Sequence, residues 1–307
     1  MQQKLLKNNC LNDKIRLRVI TMDYSINKDI EYVCELLNLS YSSLAADLKI
    51  ERSTISRWMS DKTVISKKNM ETFYQYAYNK DIKINQLKVQ MYTDSLKPNQ
   101  KLLFHGAKKE IIGNIDLEYG KGNNDFGKGF YLGENYFQSA SFISNFDDSC
   151  VYIFNYEQTS NLKVVRFIID KEWMLAIAYF RGRINDYGNN KEIKKIISKV
   201  TNADIIIAPI ADNQMYKIID DFIFGNLTDE QTMHALSATK LGNQFVFKTK
   251  EALNTIKAID RLYLCDNEKK DLLKEKEEEN NIGLQKVKLA KREFAGKGKY
   301  IEDLLND

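Results

Sequence analysis

Apolar and polar positions in the N-terminal third of the chain repeat with the three-and-four spacing of amphipathic helices. A first helix is predicted over residues 28–37, where the apolar residues lie on one face. Shorter helices are predicted over 42–48 and 52–59, with a tight turn at 49–51 between them, and a further helix over 67–78. Two short helices joined by a tight turn are typical of a helix-turn-helix.

The helix over 52–59 has one apolar side and one polar side. Ile55 and Trp58 are predicted to face inward. Its other side can contact base edges and phosphates in a major groove. Residues 42–61, with the helix over 67–78, resemble repressor-type DNA-binding domains; the alternative is a helix-turn-helix used only for packing or dimerisation. The predicted DNA-binding residues are Arg52, Ser53, Thr54, Ser56 and Arg57.

The turn departs from the repressor pattern at Lys49, where such turns usually have glycine. A non-glycine residue with positive φ costs on the order of 1 kcal/mol. The charge balance favours nucleic acid as a partner of this region, because residues 1–97 carry 16 Lys and Arg against 11 Asp and Glu while the whole chain is only +4. The same surplus is also compatible with an ordinary protein surface.

After Lys97-Pro98, which disfavours helix, the pattern changes to short apolar runs. Together with intervening helical patterns, these runs predict an α+β fold with a mostly β core. The predicted units are a helix-turn-helix domain at 1–97, a mixed domain at 98–260 and a charged helical tail at 261–307. Predicted strands cover 102–104, 151–154, 164–169, 205–210 and 245–247, and predicted helices cover 135–146, 170–179, 191–200, 213–224 and 229–237.

The composition is that of a globular protein, with 43% hydrophobic and 29% charged residues. Cys10, Cys34, Cys150 and Cys265 are widely separated and lack metal-ligand spacing, so neither a metal site nor a disulfide framework is expected. No apolar run approaches the roughly 20 residues needed to span a bilayer. A cytoplasmic protein without membrane partners is therefore predicted.

Three separated segments carry the candidate chemistry. The first strand ends in His105-Gly106, the octapeptide 125–132 reads Asp-Phe-Gly-Lys-Gly-Phe-Tyr-Leu, and a later strand contains Gln244. This combination resembles the His-Tyr-Glu class of ADP-ribosyltransferases, which includes diphtheria-toxin-like enzymes and poly-ADP-ribose polymerases. It resembles more closely a bacterial domain-of-unknown-function family of that clan, over residues 101–258, for which the octapeptide is the hallmark.

The resemblance implies NAD as a substrate and no metal. His105 would hydrogen-bond a ribose hydroxyl, the backbone of Gly106 would bracket the nicotinamide carboxamide, and Tyr131 would stack on the nicotinamide ring. The loop before Tyr131 would turn closely over the ligand. Its cofactor-binding residues would be Phe126, Gly127 and Gly129.

Gln244 occupies the position that resembles the family's catalytic glutamate. Cleavage of the nicotinamide–ribose bond develops positive charge, which a carboxylate would stabilise and a neutral amide would not. Asp125 or Asp212 could supply that charge instead. The departure favours transfer of a single ADP-ribose unit over chain elongation.

Two remaining features are predicted to be structural. His234 is expected on the surface of a helix, and residues 267–279 are expected to form a solvated helix with charge pairs. Residues 282–305 have a weaker amphipathic pattern, broken near Gly296 and Gly298. That segment could dock on the core or bind another protein.

The leading prediction is an NAD-dependent mono-ADP-ribosyltransferase that also binds DNA. The resemblance suggests an intracellular toxin or phage-defence effector, for which a neutralising antitoxin partner is expected. The first alternative is a DNA-binding transcriptional regulator whose transferase-like domain senses NAD or another nucleotide. The second is an NAD glycohydrolase, in which water replaces the acceptor; the acceptor itself could be protein, DNA, RNA or a small molecule.

Overall fold

The computed structural model describes residues 22–60, 65–115, 117, 122–238 and 242–305. Cys10 and Asp61, which entered the sequence predictions, lie outside these residues. The three described cysteines are buried as free thiols. None of the helices in this part of the chain combines the length and apolar character needed to cross a bilayer.

The N-terminal region is a group of five helices. All four helices predicted there are confirmed, and Ile55 and Trp58 are buried as expected. Lys49 adopts positive φ, at 55°, so the predicted backbone conformation of the turn is also confirmed. The segment at 83–100, which gave no helical prediction, contains the fifth helix. The helices are α1 (Ile26–Leu36), α2 (Tyr41–Asp47), α3 (Arg52–Met59), α4 (Lys67–Asn79) and α5 (Ile84–Asp94).

The rest of the chain is built on one seven-stranded mixed sheet. Its spatial order is β4-β5-β6-β2-β1-β3-β7, and all neighbours are antiparallel except β4 and β5. The strands β2 and β7 were missed in the sequence. The strands are β1 (Gln100–Ala107), β2 (Phe130–Gly133), β3 (Cys150–Glu157), β4 (Val164–Arg166), β5 (Ile205–Pro209), β6 (Asn243–Phe247) and β7 (Ile256–Tyr263).

Among the described residues, eight further α-helices accompany the sheet, so the α+β class is confirmed but the expectation of a mostly β core was wrong. Several begin at a side-chain cap, such as Asp170 and Asn190, whose oxygens accept from backbone N–H groups of the first turn. The helices are α6 (Tyr136–Ile143), α7 (Lys171–Phe180), α8 (Lys191–Thr201), α9 (Asn213–Ile223), α10 (Asp229–Ser237), α11 (Lys250–Leu253), α12 (Asp266–Glu293) and α13 (Ile301–Leu305).

Two groups of helices cover the same face of the sheet. Phe104 of β1 packs with α6 and α12, whereas Val246 of β6 packs with α7, α8, α9 and α10. The register pairs Phe104 with Gly133 and Gly133 with Gln244, which places these three residues on that face. The two helical groups are thus separated over β2, at Gly133, which has no side chain to fill the space between them.

Buried charges join the N-terminal helices to the sheet. Lys88 of α5 lies 3.0 Å from a carboxylate oxygen of Asp29 in α1 and 2.8 Å from one of Asp260 in β7. All three side chains are at most 5% exposed. Tyr74 of α4 donates to Asp29, which extends the network across the helices. Such a pairing is costly to break because each buried charge depends on its partner.

The C-terminal tail docks on the core. Its charged first part is the start of α12, whose Leu272 is buried beside α6, so the expectation of a wholly solvated helix was wrong. Val287, Ile301 and Leu305 are buried with the second helical group, which contains α7, α8, α9 and α10, on the same face of the sheet. Of the two possibilities left open for residues 282–305, the structure shows docking.

Candidate functional site

A cavity of about 260 Å³ lies where the two helical groups separate. We call it the central cavity. Its wall combines β1, β2, β6, the residues before α9, and one side each of α6 and α12. It is lined by Phe104, His105, Gly106, Tyr131, Leu132, Gly133, Phe137, Gln138, Ser139, Ser141, Phe142, Ile210, Asp212, Gln244, Lys276, Glu279 and Asn280.

His105 is held by the backbone of the neighbouring strand. Its Nδ1 lies 2.9 Å from the carbonyl oxygen of Tyr131, and its ring stacks on Phe130. Burial lowers the pKa of His105, which favours the neutral ring. Because a carbonyl oxygen can only accept, Nδ1 carries the proton and Nε2 is left as an acceptor.

Tyr131 joins the cavity wall to the loop that precedes it. Its hydroxyl donates to the carbonyl oxygen of Gly127 at 2.6 Å and accepts from the backbone N–H of Phe126 at 3.2 Å. Lys248 supports the same loop by donating to the carbonyl oxygen of Phe126 at 2.8 Å. Tyr131 is therefore fixed in place, with its ring and not its hydroxyl available at the wall.

The predicted loop residues are structural in this conformation. Phe126 is fully buried and stacks on Phe167 in the core. Gly127 has φ of 75°, and Gly129 leaves no room for a side chain, because a Cβ there would lie 2.9 Å from Val246. None of the three is among the described residues that line the central cavity.

Gly106 lines the cavity, and its lack of a side chain has a clear packing cause. A Cβ at this position would lie 2.3 Å from the carbonyl oxygen of Ser139 and 3.1 Å from Ile143. Glycine therefore lets α6 approach β1. β1 pairs with β2 at a single position, Phe104 opposite Gly133, so beyond it the described strands separate at His105 and Gly106.

Gln244 is oriented by a buried carboxylate. Its Nε2 donates to Asp125 at 2.7 Å and to the carbonyl oxygen of Pro209 at 3.2 Å. Asp125, 5% exposed, also accepts from Tyr216 and forms an ion pair of 2.7 Å with Arg181. Both amide hydrogens of Gln244 are thus used, which leaves its Oε1 as the group that can accept from a ligand.

The two carboxylates predicted to assist Gln244 differ in position. Asp125 lies behind Gln244 and is not among the described cavity-lining residues, and its charge is paired with Arg181. Asp212 does line the cavity. Its Oδ1 caps α9 by accepting from the backbone N–H groups of Gln214 and Met215 at 2.9 and 2.8 Å.

Sequence reasoning missed the contributions of two helices. From α6, Phe137 and Phe142 supply aromatic surface; from α12, Lys276, Glu279 and Asn280 supply charge and hydrogen-bonding groups. The three α12 residues share one helical face because of their three-and-four spacing. That spacing was the available signal, but the dense charge of the segment favoured a solvated helix.

The second candidate site is the outer side of α3. Arg52, Ser53, Ser56 and Arg57 are exposed, as predicted, and Thr54 is half-buried. Arg57 donates to the Thr54 hydroxyl at 3.1 Å. His234 lies exposed on α10, also as predicted, with its ring stacked on Phe294.

Comparison with known families places most of the sheet in one unit. A family described as a protein of unknown function (DUF3990) matches residues 101–258, slightly more than half of the chain. The chain belongs to the DUF3990 family. The DUF3990 match contains His105, Tyr131, Gln244 and both candidate aspartates, whereas α12 and the N-terminal helices lie outside it. No curated protein and no solved structure matches the chain.

Proposed function

We propose that this DUF3990 protein is an NAD-dependent mono-ADP-ribosyltransferase. The observation that carries the proposal is the convergence of His105, Tyr131 and Gln244 on one cavity, although they come from three segments separated by up to 139 positions. These are the residues on which the resemblance to the His-Tyr-Glu class rests. A cavity with apolar walls and a few fixed polar groups is also the usual form of a small-molecule site.

The fixed groups suit a dinucleotide with ribose hydroxyls. The neutral His105 ring and the Gln244 Oε1 are both acceptors, and each is held by a hydrogen bond through its other polar atom. Preorganised acceptors need no rearrangement when hydroxyl donors arrive. Tyr131, with its hydroxyl bound to the loop, offers a fixed ring for stacking against nicotinamide.

The N-terminal helices are proposed to bind DNA through α3. The support is the exposed polar face of α3, which carries Arg52 and Arg57. A tight turn that begins after α2 separates the two helices. In this proposal the protein is an intracellular toxin or defence effector, with an antitoxin as a neutralising partner. DNA binding would bring the enzyme to a target or regulate its own gene.

Gln244 favours a second candidate, a DNA-binding regulator whose central cavity senses NAD or another nucleotide. Its amide carries no charge, and the carboxylate that it contacts is already paired with Arg181. An NAD glycohydrolase is a third candidate, since the same cavity could admit water. NAD turnover separates an enzyme from the sensor, and the fate of ADP-ribose separates the two enzymes.

The full chain should be incubated with labelled NAD and a cytoplasmic extract, and both free nicotinamide and macromolecule-bound label should be measured. Release with bound label supports a transferase, and release alone supports the glycohydrolase. His105→Ala is expected to abolish release, whereas His234→Ala, at an exposed position on α10, is its matched control. Binding of NAD with no release would favour the sensor, and normal release by His105→Ala would contradict the proposed site.

A further inference from the structure

We infer that Glu279 of α12 supplies the carboxylate of the central cavity, in the role for which Gln244 lacks a charge. The inference rests on the proposed function and extends it to a residue outside the DUF3990 match. Helix α12 runs from the helical group that contains α6 to the group that contains α10, on the same face of the sheet, and its middle residues line the cavity between the two groups.

The first part of α12 is anchored beside α6. Glu268 accepts from Tyr136 at 2.9 Å and from Asn85 at 2.8 Å, and Lys269 donates to the carbonyl oxygen of Phe146 at 2.9 Å. Leu272 is buried in the same region. This end of the helix is therefore fixed just before the residues that line the cavity.

The last part of α12 is anchored beside α9 and α10. Lys291 forms an ion pair of 2.6 Å with Asp221, and its carbonyl oxygen accepts from Gln231 at 3.0 Å. Val287 is buried between these contacts and the cavity. Because both ends are held, the helical spacing fixes Lys276, Glu279 and Asn280 at the cavity wall.

Glu279 differs from the other carboxylate of the wall in what surrounds it. Asp212 is engaged as the cap of α9, where the helix N-terminus partly compensates its charge. Glu279 has neither a cap contact nor an ion pair with any other described residue. Partial burial, followed by the nearby Glu275, raises the pKa of the Glu279 carboxyl. Both effects are those of a carboxylate without a cationic partner.

An uncompensated carboxylate matches the charge that the reaction develops. When the bond between ribose C1′ and the nicotinamide nitrogen breaks, its electron pair leaves with neutral nicotinamide and the ribose becomes a cation. A negative group at the wall stabilises that cation. The acceptor oxygen, from water or a hydroxyl, then bonds to C1′ and transfers its proton to Glu279.

The test compares Glu279→Gln with Glu278→Gln in the full chain. Both residues are exposed and both substitutions remove one negative charge from α12, but Glu278 is not among the described residues that line the cavity. Glu279→Gln is expected to lower kcat for nicotinamide release by about 100-fold. Glu278→Gln should retain the wild-type value, and Glu279→Asp, which keeps the charge, should recover part of the loss. Thermal unfolding of each variant separates loss of chemistry from loss of fold.

A pH profile supplies a readout that a structural role would not change. Turnover should fall at acid pH as Glu279 takes up a proton, and this acid limb should persist in Glu278→Gln but vanish from the residual activity of Glu279→Gln. Wild-type turnover by folded Glu279→Gln would overturn the inference and leave the proposed function intact. Absence of turnover in the wild-type chain would overturn the proposed function and the inference with it.

Discussion

Replacement of Gln244 by glutamate tests the hydrogen bond that orients the cavity wall. The substitution Gln244→Glu would place a carboxylate oxygen where Nε2 now lies, 2.7 Å from Asp125 Oδ2. A donor would become an acceptor, and two negative charges would meet in a buried site. The resemblance to the His-Tyr-Glu class suggests this change as a way to restore the glutamate of that class, but the structure predicts that it destabilises the fold.

The magnitude follows from the separation of the charges. With charge centres about 4 Å apart and an effective dielectric constant near 20, the repulsion is about 4 kcal/mol. The pair can relieve it by binding a proton, which raises its pKa in the folded state above the unfolded value. Each unit by which the pKa rises on folding corresponds to about 1.4 kcal/mol of free energy of unfolding. The stability of the variant is therefore greatest at low pH and is lost as pH rises through the raised folded pKa.

Urea denaturation at pH 5 and pH 8 measures the effect. At pH 8 the free energy of unfolding of Gln244→Glu should lie below that of the wild type by up to about 4 kcal/mol, and the difference should shrink at pH 5. Adding Asp125→Asn to the Gln244→Glu variant should restore much of the lost free energy of unfolding. The new amide can donate to the introduced carboxylate while its oxygen continues to accept from Arg181 and Tyr216.

Gln158→Glu is the matched control, since Gln158 is exposed and only its backbone N–H has a hydrogen bond among the described residues. It should change stability little at either pH. Wild-type stability of Gln244→Glu at pH 8, or a deficit that grows on acidification, would refute the reasoning. Failure of Asp125→Asn to improve the variant would also refute the proposed contact.

Three other perturbations follow from the packing and charge of the molecule. Gly106→Ala should lower the free energy of unfolding by about 1–3 kcal/mol in urea, because its Cβ would collide with α6. Lys88→Met should lower it by about 3–5 kcal/mol at neutral pH, because two buried carboxylates lose their partner. The loss should be smaller at pH 4, because burial raises the pKa of the Asp29 carboxyl and favours its protonation. The double substitution Arg52→Gln and Arg57→Gln should weaken duplex DNA binding and reduce its log–log salt slope by about 1.8, if each arginine contacts one phosphate.

Each perturbation has a control in the same chain. Gly122→Ala meets no atom within 4 Å, Lys83→Met changes an exposed lysine, and Lys194→Gln with Lys195→Gln removes two charges from the exposed side of α8. If Gly106→Ala were as stable as Gly122→Ala, the predicted packing against α6 would be contradicted. If Lys88→Met were as stable as Lys83→Met, the predicted pairing of the buried charges would be contradicted. An unchanged salt slope in the arginine variant would remove α3 from the DNA interface.

Much of the helical structure was determined by local sequence. The bounds of α3 and α10 were predicted to the residue, because amphipathic spacing is a local property of the sequence, and α10 also begins at a capping box formed by Thr228 and Gln231. The positive φ of Lys49 was predicted from its place in the turn, where a helix-turn-helix of this type usually has glycine. The segments that carry His105, Tyr131 and Gln244 were also identified, but their convergence remained an expectation from resemblance.

Tertiary structure decided the strands and contacts whose partners are distant in sequence. β2 follows a glycine-rich loop and becomes a strand through pairing with β6, more than a hundred positions later. Gln244 meets Asp125 across 119 positions, and the spacing of the α12 residues placed Glu279 on a shared helical face without showing that this face lies at the cavity. Local spacing reports which face of a helix is apolar, whereas chain folding alone determines which polar groups meet.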